Sequence, residues 1–374
     1  GTLQTQNDGS EAIIIRGAKD VVLPNVQILH DGVIKGRLSL GTGTELDQLI
    51  SGNISQGAGT AIQVADLKVA AGGSVVLTSS DNSIEELVSG LSGDNAGLDF
   101  DFDLYDKTGG LRVAGDVQSA GGVRIATFVD PDNAATLILD DNDILANGDI
   151  ALLGKGVTQT TNGVIDAQSG TITLDGGDSI LTLLGSVETD NTSATAVVMQ
   201  NASTVTLNSV KAQQGTLVLG GSDEGDEISE SVTQTTDSVI EAKTLAANVG
   251  VLTLNRNNLI DQLGTITASG TLQIVDVGGD AGATGLEFVG DVSAAGTTTI
   301  KSTDGAIRLG DFDLTVGTTT DSLFSGEALT LDGVGLAQNY QSAIADETAT
   351  PSLSAVRSGA ATLKGGSGSI LLGS

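Results

Sequence analysis

The sequence predicts an all-β chain, specifically a right-handed parallel β-helix (β-solenoid), and three observations predict it. The first is a repeat: residues 156–167 read GVTQTTNGVIDA and residues 231–242 read SVTQTTDSVIEA, identical at eight of twelve positions at an offset of 75. A looser copy, NISQGAGTAIQVADL, begins at Asn53. Self-similarity at this strength marks a chain built by stacking one unit. The second is a run of short segments with apolar residues at i and i+2, each closed by Gly, Asn or Asp. That is the period of a strand bounded by turns. The third is composition: 52 Gly, 3 Pro, no Trp and 2% aromatics. A narrow core of small and branched aliphatics needs few aromatic rings, whereas a globular enzyme core of this size uses more.

Taken in order, residues 1–50 carry strand signals at Ile13 to Ile15, Val21 to Leu23, and Val26 with Ile28. Pro24 lies between two of them, where it need not donate to a ladder. Residues 51–125 form the first clear superunit. The i, i+2 pair Leu38/Leu40 precedes it, and it contains such pairs at Leu67/Val69, Val75/Leu77, Leu111/Val113 and Val123/Ile125. Its most regular stretch is Leu98-Asp-Phe-Asp-Phe-Asp-Leu104, which predicts Leu98, Phe100, Phe102 and Leu104 inward and Asp99, Asp101 and Asp103 outward. The pairs continue at Leu137/Leu139, Ile172/Leu174, Val205/Leu207, Leu217/Leu219, Leu252/Leu254, Leu272/Ile274, Ile307/Leu309 and Leu329/Leu331. A second long-range match aligns GLRVAGDVQSAGGVRI, from Gly110, with GLEFVGDVSAAGTTTI, from Gly285, at an offset of 175 (285 − 110). The offset between Ile54 and Val232 is 178 (232 − 54). Two nearly equal offsets mean that a whole superunit was duplicated with its order kept. Residues 1–337 are therefore expected to be a β-helical shaft with related units near 51–125, 154–220 and 229–301. Residues 338–362 break the texture and are expected to be a loop or excursion; residues 363–374 return to it. The shared texture of both ends leads to the expectation of a segment from a longer polypeptide.

Lys and Arg number 16 against 47 Asp and Glu, a net charge of −31. That speaks against nucleic acid, whose phosphates need clustered bases, and against anionic lipid. It allows cation binding at carboxylate clusters. Cysteine is absent, so a disulfide framework, a thiolate metal site and a Cys nucleophile are all excluded. No apolar run reaches the length of a membrane-spanning helix, so membrane insertion by a helix is not expected.

The stretch at 154–185, GKGVTQTTNGVIDAQSGTITLDGGDSILTLLG, and that at 51–93 resemble the filamentous haemagglutinin-like large exoproteins, bacterial adhesins of the two-partner secretion kind. The shared texture is an I/V-T/S-Q opening, a short A-x-x-G-T-x-T-L strand, a turn, and an N-x-I-like strand, and it covers most of residues 40–335. The resemblance implies a parallel β-helix, an extracellular or bacterial cell-surface location, and export through an outer-membrane partner. The family's secretion domain carries Asn-Pro-Asn motifs; the nearest string here is Leu23-Pro-Asn-Val26, so that domain is not expected within these 374 residues.

Chemistry-bearing residues are few. His30 is the only histidine, which leaves no triad and too few ligands for zinc. His30-Asp31-Gly32 reads as a turn. Asp140-Asp141-Asn142-Asp143 is the densest acidic cluster beside apolar strands, but it lacks a neighbouring Trp, Tyr, Arg or His in sequence; a solvated turn is favoured over the paired carboxylates of a glycosidase. Asp99, Asp101 and Asp103 are the metal candidates, as oxygen ligands for calcium, with a plain charged outer face as the favoured reading. Ser222 to Glu227 reads as an exposed acidic turn. Asn82, Asn142 and Asn258 precede apolar strand residues and suggest either stacked amides or left-handed turns. No catalytic residue and no cofactor is expected. The sequence thus points to a non-catalytic structural shaft of a secreted or surface adhesin or fibre, meeting a host or neighbouring-cell glycan or protein, or itself. A β-helical polysaccharide lyase or hydrolase, and a self-assembling filament or surface-layer subunit, are the alternatives.

Overall fold

A computed structural model describes residues 1–41, 48–93, 100–107, 109–127, 135–277 and 285–309 with their side chains. From residue 310 it describes the main chain of the strands between Leu314 and Leu371. Among the described residues there is no helix, and nearly every strand pairing is parallel. The chain is a parallel β-solenoid, as its repeat predicts. It divides into two compact units, residues 1–191 and 192–374.

In the first unit most coils contribute three short strands, and each strand stacks on its counterpart one coil away. One column runs Ile54, Val75, Phe102, Val123, Ile150, Ile172, each residue in register with the next. Beside it run Leu77, Leu104, Ile125, Leu152 and Leu174. All of these side chains are buried. Strands buried on their inner face alternate apolar-in, polar-out, so the i, i+2 pairs become two aliphatic stacks along the core. Phe102 is the largest of these side chains and is accommodated because Gly90 stands opposite: a Cβ on Gly90 would come within 2.7 Å of the ring.

The second unit repeats this plan. Leu252, Leu272, Thr298, Leu329 and Ala361 form one register column, and Leu254, Ile274, Ile300, Leu331 and Leu363 the next. The superunit duplication is visible strand by strand: Leu111–Val113, Val117–Ser119 and Val123–Ala126 correspond to Gly285–Phe288, Val292–Ala294 and Thr298–Ser302. Gly110 and Gly285 open the two copies with φ of 87° and 98°, a conformation that selects glycine.

Of the segment 338–362, residues 339–355 and 358–359 lie outside the described residues. Val356–Arg357 pairs with Leu314–Val316, and Ala360–Lys364 pairs with Ala328–Asp332. Among the described residues of the first unit, the one antiparallel turn joins Asn25–His30 to Val33–Ile34 through Asp31 and Gly32, with φ of 51° and 78°. Two residues at positive φ make the hairpin turn read from His30-Asp31-Gly32.

The corners are closed by side chains. Asp116 Oδ1 accepts the N–H of Asp143 at 3.1 Å, and Asp143 Oδ1 in turn accepts the N–H of Val164 at 3.0 Å. Asp20, Asn53 and Asp149 do the same for Asn53, Ser74 and Thr171. Each satisfies a main-chain donor of the following coil that the turn leaves without a ladder partner.

Candidate functional site

The groups that chemistry would draw on are gathered at three places: a buried amide column, the Arg124 cluster, and the outer rows of ion pairs.

The amide column explains the repeated I/V-T/S-Q motif. Gln56, Gln159 and Gln234 close its three copies. Asn82, fully buried, sits one coil beyond Gln56. Its Oδ1 accepts the Ile62 N–H at 2.9 Å and Gln56 Nε2 at 2.7 Å. Its Nδ2 donates to the carbonyls of Leu77 and Tyr105 and to Gln56 Oε1. Asn258 repeats the arrangement over Gln234: Oδ1 accepts the Ile240 N–H and Gln234 Nε2, and Nδ2 donates to Leu254, Arg256 and Val275 carbonyls and to Gln234 Oε1. These are interlocked amides, not left-handed turn residues; within the repeated motif the left-handed conformation falls on Asn162 and its counterpart Asp237, at φ of 74° and 62°. Asn142 shares the sequence context only. It is half-buried, and its Nδ2 lies 3.5 Å from the Val113 carbonyl.

In the middle copy the asparagine position is Gly185. A Cβ there would collide with the Gly163 carbonyl and lie within 2.8 Å of Gln159 Nε2 and Cδ. That carbonyl already accepts Gln159 Nε2 at 2.7 Å and the Ser186 N–H at 3.0 Å. Gly185→Ala is therefore expected to cost about 1–3 kcal/mol by forced displacement of a packed rung. A thermal melt together with amide exchange at Ser186 checks it, and unchanged exchange there would contradict the assignment.

The calcium candidates occupy a different setting from the one expected. Asp99 lies outside the described residues. The strand begins only at Phe102, so the alternation does not extend back through Asp101. Asp101 is 2% exposed, with its carboxylate in the space that Gly121 leaves by having no side chain. The outward reading of Asp101 is thus corrected: it stands at a corner, its N–H donating to the Gly122 carbonyl. Asp103 faces its ladder partner Arg124 and is 7% exposed. Arg124 donates to both oxygens, Nε to Oδ1 at 2.9 Å and a terminal nitrogen to Oδ2 at 2.5 Å. The guanidinium also lies 4.9 Å from the Phe100 ring centre and 5.0 Å from that of Tyr105. Burial, with Asp103 adding to it, pushes the Tyr105 phenol up. Asp103 thus already has a cation.

The same cross-rung pairing recurs on the outer rows. Arg37 faces Asp66 at 3.0 Å, and Arg112 faces Glu86 at 3.4 Å while also reaching Asp140 at 2.6 Å. The rest of the acidic cluster is tied across coils too, Asp141 accepting the Thr160 hydroxyl at 2.8 Å. His30 Nδ1 lies 3.1 Å from the Gln6 carbonyl, and its ring is half exposed between Asp8 and Asp31. Ser222 to Glu227 is an exposed turn, apart from a half-buried Asp226. Among the described residues no three His, Asp or Glu side chains converge as metal ligands. One open cleft of about 540 Å³ lies along Ser83, Glu85, Leu111, Arg112, Thr136 and Ile138. Its one arginine is the one already held by Glu86 and Asp140.

No family model, curated protein or solved structure matches this chain. Among the described residues no helix is long and apolar enough to cross a membrane. The site is therefore understood from its own geometry, as a set of polar groups turned toward neighbouring coils.

Proposed function

We propose that this chain is a non-catalytic structural shaft of a secreted or cell-surface bacterial fibre, of the kind its likeness to filamentous haemagglutinin-like exoproteins implies. One observation carries the reading. The buried amides and the most buried ion pair are committed to holding coil on coil, in the Gln56–Asn82 and Gln234–Asn258 locks and in the Asp103–Arg124 pair. Parallel ladders with satisfied corners resist extension along the stack, because many hydrogen bonds share the load. The contacts with a host glycan or protein, or with another copy, then belong to surfaces outside these locks, and export runs through an outer-membrane partner.

Electron microscopy of the purified protein, paired with incubation against a panel of acidic and neutral polysaccharides, tests this. Discrete thin rods and intact glycans are expected. Release of unsaturated or reducing sugar ends would replace the shaft with a β-helical lyase or hydrolase. Ordered polymers would replace it with a self-assembling subunit.

A further inference from the structure

Asp106 is fully buried at the end of strand Phe102–Tyr105. Its N–H donates to the Ala126 carbonyl, and its Oδ1 accepts the Ile84 N–H at 2.8 Å. Its Oδ2 has no hydrogen-bond partner. The duplicated superunit supplies an internal comparison. There Asp276 is equally buried, and its Oδ1 accepts the Ile260 N–H at 3.0 Å, but its Oδ2 accepts the Ser302 hydroxyl at 3.3 Å. The residue at the Ser302 position of the first copy is Thr127 (302 − 175). Its hydroxyl donates instead to the Ala135 carbonyl at 2.6 Å.

The charged groups on the segments around Asp106 are paired or exposed. On its own segment Lys107 reaches Asp81 at 3.6 Å, and Asp103 holds Arg124 of the neighbouring strand. On the strand beneath, Glu86 pairs with Arg112 and Glu85 is exposed. Tyr105 lies beside Arg124. Burial pushes Asp106 up to about 7, outweighing the main-chain N–H groups of Ile84 and Lys107, which favour the carboxylate; the Lys107 N–H itself donates to the Asn82 carbonyl.

We propose that Asp106 is a proton-controlled joint of the first superunit: as a carboxylic acid it keeps the corner between Ile84 and Ala126 shut, and on ionisation that corner opens locally while the Asp276 corner stays shut. The sign follows from linkage. An acid held above its unfolded value of 3.8 contributes stability that is fully present in acid and is lost as pH rises toward about 7. The joint is tight in mild acid and loose above neutrality, and this holds whether or not the chain is a fibre shaft.

Hydrogen exchange of the full chain, corrected for intrinsic rates, reads the corner at Ile84. The local opening constant is expected to rise roughly tenfold per pH unit from about pH 4 to about pH 7 and then level off. Asp106→Asn should remove that rise. A pH-independent Ile84 in the wild type, or the same rise in Asp106→Asn, overturns the proposal. Carboxyl-carbon NMR on the wild type gives an answer that needs no variant. One buried aspartate must titrate near neutrality, and a spectrum in which all carboxyls titrate in the ordinary acid range sinks the idea.

Discussion

Asn258→Ala should destabilise the second superunit by about 4 kcal/mol, a large effect for an uncharged surface-sized side chain. The reason lies in what is left behind. The Ile240 N–H is buried and takes its partner from Asn258 Oδ1. Gln234 loses Asn258 at both ends of its amide, its Oε1 keeping only the Arg256 N–H at 3.4 Å. The Leu254 and Val275 carbonyls lose a donor each. Each buried group stripped of its bond costs on the order of 1–3 kcal/mol, and a network fails by more than its weakest member. Urea unfolding read by exchange at Ile240 gives the number. Asn82→Ala should reproduce it in the first superunit, and Asn142→Ala should change stability by less than about 0.5 kcal/mol. A loss below about 1 kcal/mol at Asn258 would show that the lock is dispensable.

Arg124→Met is expected to cost roughly 3–5 kcal/mol, because it strands the Asp103 carboxylate, 7% exposed, without its cation. The loss also includes the contacts of the guanidinium with the Phe100 and Tyr105 rings. Replacing both partners, Arg124→Met with Asp103→Leu, should recover most of the stability, since an apolar pair has no charge to desolvate. Thermal melts of the two singles and the double complete the cycle. Equal stability of single and double variants would mean that Asp103 finds another partner.

The fold was legible because the two-residue period survives every irregularity of coil length. Val75/Leu77, Val123/Ile125 and Leu252/Leu254 are all fully buried strand pairs. The locks were not legible, because their partners lie one coil apart and the coil has no fixed length. Asp103 and Arg124 are 21 residues apart, Glu86 and Arg112 are 26, and Arg37 and Asp66 are 29. No spacing rule finds all three. The motif Gln was visible, but its role depends on whether Asn or Gly follows one coil later, as Asn82 and Gly185 show. The alternation holds at Phe102 and Leu104, which are buried as expected, and fails at Asp101, where a corner precedes the strand, because period alone does not reveal where a strand begins.

The corner aspartates carry one more implication. At the bends closed by Asp116, Asp143 and Asp149 a left-over main-chain donor takes a carboxylate as its partner, and each of these brings a formal negative charge with its coil. Anionic charge therefore accumulates in proportion to how many coils are stacked, as a by-product of bending the chain. Two such molecules lying flank to flank repel over about 8 Å at physiological salt. Bundling should accordingly depend on ionic strength, with brine drawing together what fresh water holds apart.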